Sequence, residues 1–159
     1  MSITKTVDPI TVEIERLVGL LSIKTTFVHA NLFEANLSLD TLTDEDSPVF
    51  VYLTPEKTEN TVTETNLLIR KVIIVGMFLD IVRVDMDFST SNVDADVYKM
   101  EQLAAEFIKL LNASTSTYKL IPVVAFSLEK IYAKFDSSLF GVGINFEWAF
   151  NTQKGLGCL

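Results

Sequence analysis

The chain has 159 residues, 48% of them hydrophobic, 10% aromatic and 21% charged. That composition suits one globular domain over 1–159 and excludes general disorder, collagen-like repeats and low complexity. The net charge of −8, with a pI near 4.6, leaves too few clustered cations for a tight grip on nucleic acid.

The first helix is expected over residues 9–21. Asp8 can cap it and Pro9 suits its first turn. Ile10, Ile14, Leu17, Val18 and Leu21 recur at helical spacing, with Glu13, Glu15 and Arg16 expected in water. Residues 25–39 read as a strand with Phe27, His29, Asn31 and Phe33 on one face. An acidic loop follows over 40–47. Pro48 then opens a strand over 49–53 that is apolar on both faces. The threonine-rich segment 54–66 is either a plain loop or the tip of a protruding hairpin. Residues 67–79 read as a long strand with Leu67, Ile69, Ile73, Val75, Met77 and Leu79 on one face and Gly76 on the other.

Residues 89–96 read as a polar turn. An amphipathic helix follows over 95–112, with Val97, Met100, Leu103, Ala104, Phe107, Leu110 and Leu111 as its stripe. The run 112–117 is expected to break it. A strand over 120–132 leads into the clearest period-two pattern in the chain, 139–150. There Phe140, Val142, Ile144, Phe146, Trp148 and Phe150 share a face. The order α-β-β-β-α-β-β does not alternate as βαβ units do. The expected fold class is therefore α+β: an antiparallel sheet with two helices packed on one face. Residues 152–159 read as an extended C-terminal tail.

Chemistry is thinly represented. His29 is the only histidine and Cys158 the only cysteine, so neither a disulfide nor an ordinary zinc set can form within the chain. Asp85, Asp87, Ser89, Ser91 and Asp96 fall at calcium-loop offsets. Thr90, however, holds the position that needs glycine, and Asp96 replaces the closing glutamate. A solvated turn at a helix start explains Asp85, Asp87, Asp94 and Asp96 more simply, and a metal-assisted enzyme on these four is the weakest reading. Ser127, Ser137 and Ser138 lack a nucleophile-elbow setting. Gly141 and Gly143 sit inside a strand and read as a face kept small for close packing, not as a phosphate loop. No catalytic, cofactor-binding or metal-binding set is assigned, and no enzyme activity is expected. The aromatic stripe ending at Trp148 reads mainly as core, with an interface as the second possibility. The longest apolar run, 72–79, is too short to span a membrane, and the N-terminal residues lack the apolar core of a secretory signal.

The segment Phe135-Asp136-Ser137-Ser138-Leu139-Phe140-Gly141-Val142-Gly143-Ile144-Asn145-Phe146 resembles the D-x-x-L-x-G-V motif and alternating strand that end small structural proteins of tailed bacteriophages. With the element order, it is similar to the tail-terminator, tail-completion and neck-ring proteins. The resemblance implies a virion structural protein that assembles in the host cytoplasm into a homo-oligomeric ring at the head–tail junction or tail end. Its partners would be sister copies and neighbouring neck, tail or portal proteins. DNA would pass only as cargo, and no membrane is involved. Segments 54–66 and 152–159 would be candidate arms. The alternative reading is a small accessory or inhibitor domain that binds one host protein or a small ligand.

Overall fold

The computed structural model describes residues 8–31, 42–55, 58–65, 68–81, 90–118, 125–134 and 139–151. Helix α1, Pro9–Val18, starts as expected: an Asp8 carboxylate oxygen accepts from the Ile10 amide at 3.3 Å. Helix α2 spans Thr90–Tyr118. The strands are β1 Thr26–Ala30, β2 Val49–Leu53, β3 Thr58–Val62, β4 Leu68–Ile81, β5 Phe126–Lys134 and β6 Leu139–Asn151. A short 3-10 turn, Asp44–Asp46, precedes β2.

The α+β class holds, with two corrections. Segment 54–66 contributes a strand, β3, which lies antiparallel on β4 with Thr58 opposite Val72, so the order is α-β-β-β-β-α-β-β. The sheet, in order β1-β2-β4-β6-β5 with β3 beside the start of β4, is also not wholly antiparallel, because β1 runs parallel to β2. Backbone hydrogen bonds close both ends of that parallel pair: Thr26 N to Pro48 O at 2.9 Å and Thr54 N to Ala30 O at 3.1 Å.

Both helices pack on one sheet face. Pairing β4 with β6 puts Val72 opposite Trp148, Ile74 opposite Phe146 and Phe78 opposite Val142, all buried against α1 and α2. Phe107 of α2 anchors this core, with its ring centroid 5.3 Å from Phe50, 5.9 Å from Phe78 and 6.3 Å from Phe146. The buried face of β4 is thus the one carrying Gly76, opposite to the face with the longer apolar run. Gly76 belongs there because the Phe50 ring lies over it, 2.5 Å from where a Cβ would stand. On the far face a smaller cluster joins Val49, Val51, Met77, Leu79, Ile131 and Leu139. It explains why β2 is apolar on both sides.

Helix α2 is longer than expected at both ends. It contains Asp94 and Asp96, and it runs through residues 112–117. No glycine or proline interrupts 90–118, and serine and threonine each cost only a few tenths of a kcal/mol against better helix formers. The segment has nothing strong enough to stop the helix. Glu13 is also buried, not wet; its carboxylate accepts from the Arg16 guanidinium at Nε and Nη2. Segment 152–159 lies outside the described residues, as do the predicted strand parts at 32–39 and 120–124.

Candidate interaction surface

Among the described residues, those singled out for chemistry do not converge. His29 sits on β1, exposed, with its ring stacked on Tyr52 at 5.2 Å and Nε2 2.9 Å from the Thr54 hydroxyl. Asp94 and Asp96 are separated on the helix surface. The Tyr132 hydroxyl donates to Asp94 at 3.5 Å, while half-buried Asp96 lies towards Asp80 and Lys99. Burial, and then the Asp80 charge, push the Asp96 carboxyl above its ordinary range, with Lys99 opposing. Asp80 is itself held by the Ser47 hydroxyl, which also accepts from the Ile81 amide at 3.2 Å. Among the described residues no group of three or more His, Cys, Asp or Glu side chains is arranged to hold a metal ion. Asp85, Asp87, Ser89, Ser137, Ser138 and Cys158 lie outside the described residues.

The two glycines of β6 differ. A Cβ at Gly141 would stand 1.9 Å from the Phe78 carbonyl oxygen, so the backbones of β4 and β6 meet there as only glycine allows. At Gly143 the nearest atoms are 3.8 Å away, at ordinary contact with Ile131 and Glu129. Close packing explains the first position; at the second a Cβ would fit, so the expected close packing does not account for Gly143. The aromatic stripe of β6 from Phe140 to Trp148 is core within the chain.

What stands out lies at the sheet margin. Among the described residues β5 pairs only with β6, so it is an edge strand. Register places Phe126 opposite Phe146, Leu128 opposite Ile144, Lys130 opposite Val142 and Tyr132 opposite Phe140, all on the helix side of the sheet. Yet α2 covers them poorly: Phe126 is 41% exposed, Leu128 37% and Tyr132 47%. Lys130 reaches Glu101 of α2 at 3.8 Å, and Tyr132 reaches Asp94. On the same helical stripe, one turn beyond Asp94, Tyr98 is 62% exposed. The result is an apolar strip along β5, fringed by charges that the chain already pairs.

The far face has a second, more polar feature. A shallow depression there is lined by Glu59, Lys71, Ile73 and Glu147, with Lys71 Nζ 3.4 Å from Glu147. Ile73 and Val75 are exposed beside it.

Sequence reading placed Phe126 and Leu128 correctly in a strand but missed that the strand is an edge. That depends on sheet order, which one strand's own pattern does not encode. No described helix is long and apolar enough to cross a membrane. No protein-family profile matches the chain, and no curated protein matches it in sequence.

Proposed function

We propose that the chain is a structural subunit that works by assembling with copies of itself and with neighbouring proteins, as a ring at the head–tail junction or tail end of a tailed bacteriophage. The observation that carries the assembly part is the edge strand β5, with Phe126, Leu128 and Tyr132 exposed along one side. An edge strand of this kind is a template for another chain; the charges of Glu129 and Lys130 and the irregular step between Tyr132 and Lys134 blunt it only in part. The phage setting draws its support from the D-x-x-L-x-G-V motif of Asp136–Val142 and from the element order. An acidic chain with net charge −8 also suits a passage that DNA crosses without sticking.

The test has two arms. Light scattering on the purified chain follows its mass with concentration, and mass spectrometry of purified particles asks whether it is present at a ring-like copy number. Concentration-dependent association together with incorporation is expected. A chain that never associates and is absent from particles, but that retains a single host protein in a pull-down, would instead mark an accessory or inhibitor domain.

A further inference from the structure

We propose that in the free protein the outer edge of β5 is covered by the β5 edge of a second copy, the two strands running antiparallel about a two-fold axis at Leu128. This names the joint behind the self-assembly reading and rests on it.

Three observations lead to the joint. First, the outer edge of β5 presents a row of backbone donors and acceptors that, among the described residues, no strand takes up. Water can satisfy each group singly, but another extended chain takes up the whole row at once. Second, the apolar side chains beside that row are already exposed and fixed on a regular ladder from Phe126 to Tyr132. Third, the strand does not share the chain's negative charge: it carries Glu129, Lys130 and Lys134, one acid against two bases. Glu129 and Lys130 are neighbours on opposite faces, so two copies can meet here without the repulsion that net −8 imposes elsewhere.

Charge then selects the register. In a two-fold antiparallel pair, opposed residues share a face, so the axis passes through a residue. An axis at Glu129 or Lys130 sets like charges opposite each other. An axis at Ile131 draws the irregular step between Tyr132 and Lys134 into the new ladder. An axis at Ser127 shortens the pairing and leaves Lys130 without a complement. With the axis at Leu128, Leu128 faces its own counterpart, Ser127 faces Glu129 of the second copy, and Lys130 faces the Phe126 ring of the second copy. The last pairing sets an ammonium beside an aromatic ring. The joint is isologous and closed. It covers the adhesive edge in the free protein, and the pair separates when the chain docks and the same edge passes to a neighbouring subunit.

Sedimentation velocity over a concentration series tests the joint. Wild-type protein is expected to form a dimer. Leu128→Lys and Leu128→Glu, at an exposed position, keep the circular dichroism of the parent but each weaken the dimer by about tenfold or more, because each opposes its own charge across the axis. Mixing the two restores a one-to-one pair. Phe126→Lys weakens the dimer by opposing Lys130 of the second copy, whereas Phe126→Glu keeps it. Ile73→Lys, on the far face, leaves it unchanged. A wild-type chain that is monomeric at every concentration overturns the joint. So does a dimer indifferent to both Leu128 variants, or one that mixing does not restore. In each of these cases the assembly reading still stands or falls separately, on whether the chain is found in particles.

Discussion

At Gly141 the chain has room for a hydrogen and nothing more. The atom that a Cβ would strike is a backbone carbonyl of β4, which cannot swing aside, so Gly141→Ala is expected to cost about 3 kcal/mol in chemical denaturation. Gly76→Ala meets the outer end of the buried Phe50 ring and, at 3.3 Å, the Val51 carbonyl oxygen, and should cost about 1–3 kcal/mol. Tyr52 presents the reverse case. It is fully buried, Thr11 lies beside its hydroxyl, yet no hydrogen bond of normal geometry satisfies that oxygen. Burial, reinforced by the Asp8 charge, holds the hydroxyl far above its ordinary pKa and therefore neutral. Tyr52→Phe removes an unpaired buried polar group, so the melting temperature should stay level or rise, by up to about 1 kcal/mol of stability. Asp96 carries a pH signature. Its raised carboxyl pKa means that ionisation opposes folding. The penalty is absent below the ordinary carboxylate range, grows as pH rises towards the folded-state pKa, and is complete above it. Asp96→Asn should therefore raise the melting temperature at neutral pH and have no such effect in strong acid. Close packing at the β6 glycines was legible from the sequence and holds at Gly141, but not at Gly143, where a Cβ would fit. The difference depends on the register that sets Gly141 against Leu79 and beside Phe78.

The elements that announce themselves in the sequence are those with one buried face and a regular period. β6 and the middle of α2 fall where their apolar spacing puts them, and Asp8–Pro9 starts α1 at the expected residue. The ends of α2 were harder to read, because weak helix formers at 112–117 look like a boundary when no tertiary contact is in view. The hairpin strand β3 was harder still, since Thr58–Val62 reads TENTV, with Val62 its single apolar residue and no apolar face. β4 was legible as a strand but its buried side was not: Met77 and Leu79 belong to the smaller far-side cluster, and the helices choose the face with Gly76. Two tests belong at this scale. Phe107→Ala removes the ring that bridges both helices' core to three strands, and should cost about 3–5 kcal/mol by denaturant unfolding. Glu106 ties the end of α1 to α2, accepting from the Ser22 amide at 2.8 Å and from its hydroxyl at 2.7 Å. Because this tie is exposed, Glu106→Ala should cost only about 1 kcal/mol.

For the whole molecule the decisive property is how the sheet ends. Among the described residues, strand order places β5 at one margin with its helix-side residues incompletely covered; in the local pattern only the charges of Glu129, Lys130 and Lys134 hint at an edge, and they equally suit a solvated strand face. The sequence therefore carried the α+β class, but not the surface on which the proposed function turns. In this account the subunit acts through shape: the described body of two helices and six strands presents an adhesive margin to its neighbours, while the chain's net negative charge disfavours a tight grip on nucleic acid. The most direct measurement is a reconstruction of the particle from electron micrographs with this chain located in density. The account predicts closed rings of copies at the head–tail junction or tail end. Particles of full composition in which the chain occupies no position would contradict it.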